Sequence, residues 1–276
     1  MKSIILGLKR HPLRFFASIF LAYSALWTVT ESIAFFYPDL QLKGLYVHLV
    51  FIIASIVIGI IRVYQPRRVS IKVNTSDTTL NIYYGDIFKQ VGYIVISVNE
   101  FFDSELGDPV SEHSLHGMVI KQYFGGHPES FDSAIQKDLK DQCFEQIERD
   151  RGNLKKYPIG TTAKIIANEH KFLLFALSHT NIETFKASSD LSTMLTALHG
   201  LFSRSRDCTG GEKLNIPLIG SGISGVGLPA TQLLQLIVLA IIDETKKKQI
   251  CKEINLVIHE SRFDEVDLET IKRQWV

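Results

Sequence analysis

Apolar positions along the chain form two long uncharged runs near the amino terminus and, further on, short apolar runs separated by amphipathic segments. The first uncharged run covers residues 15–30 and the second covers residues 44–61. A helix of about 20 apolar residues crosses the hydrocarbon core of a bilayer, so both runs, extended by their flanks, are predicted to span a membrane. We predict spans at about residues 15–37 and 44–64, within a transmembrane hairpin of residues 1–66.

Basic residues flank the outer ends of the two runs, whereas the segment that connects the runs has one acidic and one basic residue. The flanking lysines and arginines are Lys2, Lys9, Arg10, Arg14, Arg62, Arg67, Arg68 and Lys72. Positive charge remains on the cytoplasmic side of a membrane, so both termini are predicted to be cytoplasmic. A signal peptide is disfavoured, because no small-residue cleavage site follows the first run and a second run comes directly after it.

Two ionisable residues lie inside the predicted spans, Glu31 in the first and His48 in the second. An ionisable group within a bilayer is a candidate functional group. Both residues are near the outer turn of the hairpin, where a hydrogen bond between them would lower the cost of burying either one. We favour this structural pairing over a proton or ion pathway.

Residues 67–276 have the pattern of one α/β domain. Short runs rich in β-branched and aromatic residues predict strands, and apolar residues at the helical period predict helices between them. The predicted strands are residues 69–74, 79–84, 93–98, 163–167, 172–177, 214–219 and 254–259. The predicted helices are residues 131–150, 190–207 and 230–248. Alternating strands and helices predict an α/β sandwich.

Composition excludes several classes of function. The formal net charge is +1, from 30 basic and 29 acidic residues, which argues against a nucleic-acid partner. The three cysteines, Cys143, Cys208 and Cys251, are far apart in the sequence. This spacing indicates neither a zinc site nor a disulfide framework. We predict no metal and no resident cofactor.

A glycine-rich turn joins the strand predicted at residues 214–219 to the last predicted helix. Gly220, Gly222 and Gly225 match G-x-G-x-x-G, the fingerprint of dinucleotide-binding folds. That fingerprint follows the first strand of its fold, whereas here only one helix and one strand remain. The turn is therefore predicted to bind phosphate through backbone N–H groups at a helix N-terminus. A turn that only packs closely and a dehydrogenase-like NAD site remain alternatives.

Three motifs in order resemble those of macro domains. They are Gly85-Asp86-Ile87 after a strand, Val98-Asn99 at the end of the next strand, and the late segment at residues 217–227, PLIGSGISGVG. The segment YPIGTTAKI at residues 157–165 adds a weaker match. The resemblance implies a three-layer α/β/α sandwich with a mixed sheet and an ADP-ribose site.

The same resemblance implies roles for individual residues. Asp86 would accept a hydrogen bond from the adenine amino group, the backbone N–H of Ile87 would meet a ring nitrogen, and Asn99 would bind the distal ribose. The diphosphate would lie against Gly220, Ser221, Gly222, Ile223, Ser224, Gly225 and Val226. On residue type alone, Asp86 is also typical of a helix cap and Asn99 of a turn.

The segment after Asn99 departs from the macro-domain pattern. Many macro domains have V-N-A-A-N followed by a glycine-rich stretch, whereas Asn99 precedes EFFDSELGDP. ADP-ribose hydrolysis is therefore disfavoured, no catalytic residue is assigned, and a different distal group is expected on the ligand. The acidic residues Glu100, Asp103, Glu105 and Asp108 either meet a cationic substituent or form a solvated loop. His113, His116 and His127 lack the spacing of metal ligands and are interpreted as surface or core residues.

Two membrane spans before a divergent macro domain resemble the membrane-bound effectors of bacterial Thoeris anti-phage systems, the ThsA type. The resemblance implies that a TIR-domain protein makes an ADP-ribose-derived signal, histidine–ADP-ribose. The signal would drive homo-oligomerisation and disruption of the inner membrane, leading to abortive infection. The alternative is a membrane-tethered ADP-ribosyl hydrolase.

Overall fold

The structure is a computed structural model that describes residues 2–39, 44–222 and 225–275. The chain divides into two compact units, Met1–Arg67 and Arg68–Val276.

The first unit is helical. Its helices are α1 (Lys2–Arg10), α2 (Pro12–Phe36) and α3 (Leu45–Val63). By length and composition, α2 and α3 are long and apolar enough to cross a membrane. The short helix α1 has no counterpart in the predicted pattern. It approaches the end of α3 so closely that a Cβ at Gly7 would overlap the Val63 carbonyl oxygen.

The two long helices of this unit pack against each other through small and aromatic residues. A Cβ at Gly59 would lie 2.8 Å from the Ile19 side chain, so this glycine allows α2 to approach α3. The ring of His48 stacks on Trp27, and its Nδ1 is 2.9 Å from the Tyr23 hydroxyl. Among the described residues, His48 therefore pairs with Tyr23, and the predicted hydrogen bond to Glu31 is wrong.

The second unit alternates strands and helices. Its strands are β1 (Arg68–Lys72), β2 (Thr79–Tyr84), β3 (Tyr93–Asn99), β4 (Glu145–Gln146), β5 (Lys155–Lys156), β6 (Thr162–Ala167), β7 (His170–Thr180), β8 (Ala187–Ser188), β9 (Leu214–Pro217) and β10 (Glu253–Ile258). Its helices are α4 (Leu115–Tyr123), α5 (Pro128–Asp138), α6 (Leu191–Cys208), α7 (Ala230–Lys247) and α8 (Leu268–Trp275).

The main sheet is mixed. Its strand order is β1-β2-β10-β9-β3-β7-β6, and β8 pairs with β7. The central strands from β2 to β7 in this order are parallel. By contrast, β1, β6 and β8 are antiparallel to their partners. The parallel strands end at one edge of the sheet, which we call the carboxyl edge.

Helices cover both faces of the sheet because successive strand residues point to opposite sides. On one face, Ile94 and Ile96 share a core cluster with Val119 of α4 and Phe131 of α5. On the other face, the Lys164 ammonium donates to the Cys208 carbonyl at the end of α6, and α6 packs against α7. The predicted three-layer α/β/α sandwich with a mixed sheet is confirmed.

The helix predicted at residues 131–150 is wrong in its second half. Helix α5 ends at Asp138, and β4 and β5 then form a small antiparallel ladder. The apolar period continues through Cys143 to Ile147, but Cys143 is exposed. Arg149 instead turns inward to a buried ion pair with Asp103, so a long-range contact overrides the local helical pattern.

Three buried asparagines connect neighbouring strands inside the sheet. Asn81 of β2 donates to the side-chain oxygen of Asn255 of β10 at 3.1 Å, and Asn255 donates to that of Asn215 of β9 at 2.9 Å. Asn215 donates in turn to the main-chain oxygens of Val91 and Tyr93, both at 3.1 Å. The row satisfies polar groups that would otherwise be costly to bury.

Candidate functional site

A cleft of about 630 Å³ opens at the carboxyl edge of the sheet. Its walls are the ends of β3, β7 and β9 with the loops that follow them. The lining residues are 97–99, 107–111, 113–116, 177–178, 184–187 and 217–222, together with Arg262. Ligands of open α/β sheets bind outside the carboxyl ends of the strands, so the cleft is in the expected place.

The glycine-rich turn forms one wall of this cleft. Gly220 has a φ of +78°, a conformation that glycine adopts without steric cost, and its carbonyl accepts from the Val226 N–H at 3.1 Å. The Ser221 hydroxyl donates to the Leu218 carbonyl at 2.9 Å. A Cβ at Gly222 would meet no atom of the other described residues within 4 Å, so with respect to them the backbone there is open to a ligand. The predicted contacts Ile223 and Ser224 are outside the described residues.

Two further predicted turn residues lie at its closing end. A Cβ at Gly225 would lie 2.9 Å from the Gly222 carbonyl oxygen, so this position requires glycine because the backbone folds back on itself. Val226 closes the turn through its hydrogen bond to Gly220. Gly225 and Val226 are not among the residues that line the cleft, whereas Gly220, Ser221 and Gly222 are.

Asn99 lies at the end of β3, where the register with β7 shifts by a bulge. It lines the cleft, but it is only 7% exposed and its side chain bonds within the protein. Its amide donates to the Asp103 carboxylate at 2.8 Å, and its side-chain oxygen accepts from the Asp103 N–H at 3.1 Å. One amide hydrogen of Asn99 is left for a ligand.

Asp86 and Ile87 follow β2 at the same edge. One oxygen of the Asp86 carboxylate accepts from the Phe88 N–H at 3.0 Å, so the residue caps a short 3-10 helix, as its type alone also allows. Its second oxygen has no hydrogen-bond partner among the described residues. The Ile87 side chain is in the core cluster, and its N–H makes no hydrogen bond to another described residue.

The structure places Asp86 near the glycine-rich turn but outside the lining of the cleft. Strands β2 and β9 flank β10, so their ends are two strand spacings apart, roughly 10 Å. Arg262, after β10, lies between them and donates to the Ser221 carbonyl at 3.0 Å. Burial first and the Asp86 charge second raise the pKa of Tyr123, the last residue of α4.

The four acidic residues after Asn99 have different environments: two are buried and bound to protein groups, and two are accessible. The Glu100 carboxylate is buried and bonds to the His179 ring at 2.8 Å and the Thr180 N–H at 3.2 Å. Asp103, fully buried, pairs with the fully buried Arg149 and accepts from the Asn153 N–H at 2.7 Å. Both carboxylates are thus committed to protein groups, which contradicts the two alternatives drawn from the charge pattern.

The other two acidic residues are accessible. Glu105 forms a salt bridge of 2.5 Å with Arg151, and both side chains are exposed. Asp108 is exposed and lines the cleft. Lys186 and Arg262 line it too. The cleft therefore offers an acidic residue on one wall and basic residues on others, which suits a ligand with an anionic centre.

Helix α4 brings a histidine into the cleft that sequence reasoning assigned to the surface or the core. Ser114 caps the helix by accepting from the Gly117 N–H at 3.0 Å. His116, in the first turn, lines the cleft and is 6% exposed. Burial lowers its pKa from 6.5 to about 3, so the ring is neutral. Among the described residues, no group of three or more histidine, cysteine or acidic side chains is arranged to hold a metal ion.

Comparison with known proteins decides the family. A family model described as Thoeris protein ThsA, Macro domain, matches residues 80–259. The chain belongs to the Thoeris ThsA macro-domain family. It is 28% identical over 216 residues to Thoeris protein ThsA of Bacillus amyloliquefaciens (strain Y2), and the match covers 74% of this chain and 70% of that protein.

Solved structures similar to this ThsA-family chain include macrodomains of Oceanobacillus iheyensis. One, described with ADP, has a TM-score of 0.47 and 15% identity, covering 76% of this chain and 98% of that one. Another, a glycine-to-valine mutant described with ADPR, has a TM-score of 0.49 and 14% identity, covering 75% of this chain and 98% of that one.

Sequence reasoning missed the residues that the loops bring to the cleft. The segment at residues 184–187 has no motif, and Phe185 adopts a positive φ of 55° that no local pattern indicates. Arg262 follows the last strand, a position at the carboxyl edge that the strand prediction alone could have indicated. His116 has a weaker signal, a histidine just inside a helix that begins after a serine cap.

Proposed function

We propose that this ThsA-family chain is a membrane effector of bacterial anti-phage defence whose macro domain binds an ADP-ribose-derived signal. The proposed signal is histidine–ADP-ribose, made by a TIR-domain protein. The proposal rests above all on one observation: the carboxyl-edge cleft is lined by Asn99, by Gly220 and by the open backbone of Gly222. Open backbone N–H groups at a glycine-rich turn favour a diphosphate.

The adenine end of the ligand is assigned to Asp86 and Ile87. A free carboxylate oxygen suits the amino group of adenine, and a free backbone N–H suits a ring nitrogen. The ends of β2 and β9, which precede these residues and the glycine-rich turn, are two strand spacings or roughly 10 Å apart, which leaves room for a ribose between base and diphosphate. Val226 and the other turn residues, including Ile223 and Ser224, are proposed to enclose the diphosphate.

The membrane part of the proposal rests on α2 and α3, whose length and composition suit a bilayer. We propose that residues 1–66 form a hairpin in the inner membrane, with both termini and the macro domain in the cytoplasm. Ligand contacts made in only one arrangement shift the population toward it. That arrangement is proposed to self-associate and to disrupt the membrane, which ends in abortive infection.

Hydrolysis of an ADP-ribosyl group is the competing activity, and the two buried carboxylates after Asn99 do not supply it with a general base. Phe102, in the position where many macro domains have a second asparagine, is fully buried. Asp103 and Glu100 are both engaged by protein donors. A general base must be within hydrogen-bond reach of the attacking water, and neither carboxylate is free for that role. We therefore propose a receptor without catalytic residues.

Binding is tested by calorimetry on the full chain in detergent micelles, with histidine–ADP-ribose, ADP-ribose and NAD. Asp86→Ala removes a charge-assisted hydrogen bond, so its affinity is expected to fall about tenfold or more. Asp86→Asn keeps the oxygen that caps the Phe88 N–H but turns an amide donor toward the adenine amino group, so its affinity should fall as well while the cap is retained. Asp141→Asn, an exposed carboxylate outside the cleft, is the matched control and should bind as the wild type does.

Two outcomes separate the receptor from the enzyme. Histidine–ADP-ribose should release dye from liposomes that contain the wild-type chain, and not from liposomes with Asp86→Ala. An ADP-ribosylated protein incubated with the chain should remain modified. Unchanged affinity in Asp86→Ala contradicts the adenine assignment, and turnover of the modified protein supports the hydrolase.

A further inference from the structure

His116 is a buried polar side chain without a partner in the wall of the cleft. It is the second residue of α4, and its ring lies 5.4 Å from the ring of Phe131, centroid to centroid. Neither ring nitrogen has a hydrogen-bond partner among the described residues, and Nε2 is shielded from solvent whereas Nδ1 is not. Most buried polar atoms in proteins are hydrogen-bonded, so an orphaned ring at a cleft wall calls for an explanation.

The ring has a definite hydrogen-bonding character. Burial lowers the pKa of His116 to about 3, so at cellular pH the imidazole is neutral. A neutral imidazole donates one hydrogen bond and accepts one. The hydroxyl groups of a sugar likewise both donate and accept, whereas an ammonium group only donates and a carboxylate only accepts.

The location of His116 determines which part of a ligand it can reach. Helix α4 packs on β3, and Asn99 at the end of β3 lines the same cleft. The Asp86 end of the carboxyl edge lies on the other side of β9, beyond the glycine-rich turn. A nucleotide whose base is at Asp86 and whose diphosphate is at the glycine-rich turn therefore extends its distal group toward Asn99 and His116.

We propose that His116 reads the distal ribose of the ligand through Nδ1 of its neutral ring, which donates to or accepts from a sugar hydroxyl group according to the tautomer. The inference deepens the proposed function and rests on it, because the diphosphate must occupy the glycine-rich turn. It makes His116 a specificity-determining residue that separates ADP-ribose from ADP, which ends at the diphosphate.

The test measures the affinities of ADP-ribose and ADP for the full chain in detergent, for wild type and variants. His116→Phe keeps an aromatic ring of similar shape against Phe131 but removes the hydrogen bond of Nδ1. It should weaken ADP-ribose binding about tenfold and leave ADP binding unchanged. His116→Gln retains a donor and an acceptor and should recover part of the loss. His127→Phe, at an exposed position outside the cleft, is the control and should change neither affinity.

The outcomes distinguish this inference from the proposed function. Wild type that binds neither ADP-ribose nor ADP overturns the proposed function and the inference with it. Wild type that binds both, with His116→Phe losing neither or losing both equally, overturns the inference alone.

A second measurement covers the case in which His116→Phe does not fold. The wild-type chain and His116→Gln are then compared on ADP-ribose and on an analogue whose distal sugar lacks its hydroxyl groups. The wild type should bind the analogue about tenfold more weakly than ADP-ribose, and the difference should be smaller in His116→Gln. Equal affinities of the wild type for the two ligands, or the same difference in both proteins, would overturn the inference.

Discussion

The buried ion pair of Asp103 and Arg149 offers a test of how buried charges stabilise the fold. Asp103 also accepts a hydrogen bond from Asn99, which lines the cleft. The Asp103 carboxylate is surrounded by donors: the Arg149 guanidinium and the Asn153 N–H meet one oxygen, and the Asn99 amide meets the other. In Asp103→Asn the new amide group faces a donor in either orientation. The substitution also leaves Arg149 charged, fully buried and unpaired.

The expected cost follows from this geometry. Breaking a buried pair by removing one charge destabilises a protein by about 3–5 kcal/mol. A loss within that range is expected here, because Nε and Nη1 of Arg149 have no hydrogen-bond partner among the described residues, and stacking on the Phe101 ring at 4.1 Å does not neutralise the charge. With a urea m-value of roughly 2 kcal/mol per M, the unfolding midpoint should fall by about 2 M.

Urea unfolding of the Arg68–Val276 unit, followed by circular dichroism, measures this shift. The double variant Asp103→Asn with Arg149→Met should recover much of the loss, because no charge is left buried. Glu105→Gln is the matched control: its bridge to Arg151 joins the same two segments but is exposed, and such pairs contribute about 0–1 kcal/mol. Equal midpoints for Asp103→Asn and Glu105→Gln would refute the reasoning.

Two further predictions concern buried polar groups. Asn255→Leu leaves the Asn81 amide and the Asn215 side-chain oxygen without their partner. The free energy of unfolding, measured by urea titration, should therefore fall by about 2–4 kcal/mol. A loss below about 1 kcal/mol would contradict the stabilising role of the three buried asparagines. The pKa of His116 is lowered by burial from 6.5 to about 3, so the unfolded chain binds the extra proton and stability is lost as the pH falls below 6.5. At pH 5 this costs about 2 kcal/mol, and His116→Phe should lose that much less stability between pH 7 and pH 5 than the wild type.

The sheet and its carboxyl edge could be predicted because their signals are local. Runs such as residues 93–98 and 172–177 are apolar throughout, as expected of strands covered on both faces, and they became β3 and β7. The glycine-rich turn was predictable for a similar reason, since Gly220 has a positive φ that favours glycine. These features depend on residues next to each other in the chain.

The environment of the acidic segment could not be predicted, because it depends on distant residues. Asp103 meets Arg149 across 46 positions, and Glu100 meets His179 across 79. Charge pattern alone predicts carboxylates that are either solvated or in contact with a cationic ligand group. Arg149 also lies in the stretch of residues 139–150, which does not continue the helix that its apolar period predicted.

The burial of these carboxylates also narrows how the proposed signal would be recognised. An amino group on the ligand needs a carboxylate with unused acceptor capacity. Glu100 and Asp103 have their oxygens engaged by protein donors, and among the four acidic residues of the segment Asp108 is the one that lines the cleft. Recognition of an amino group would therefore depend on Asp108, while recognition of the sugar would depend on His116. Both residues belong to the stretch from the end of β3 to the start of α4, so the part of the chain that departs from the common macro-domain pattern is also the part that lines the distal half of the cleft.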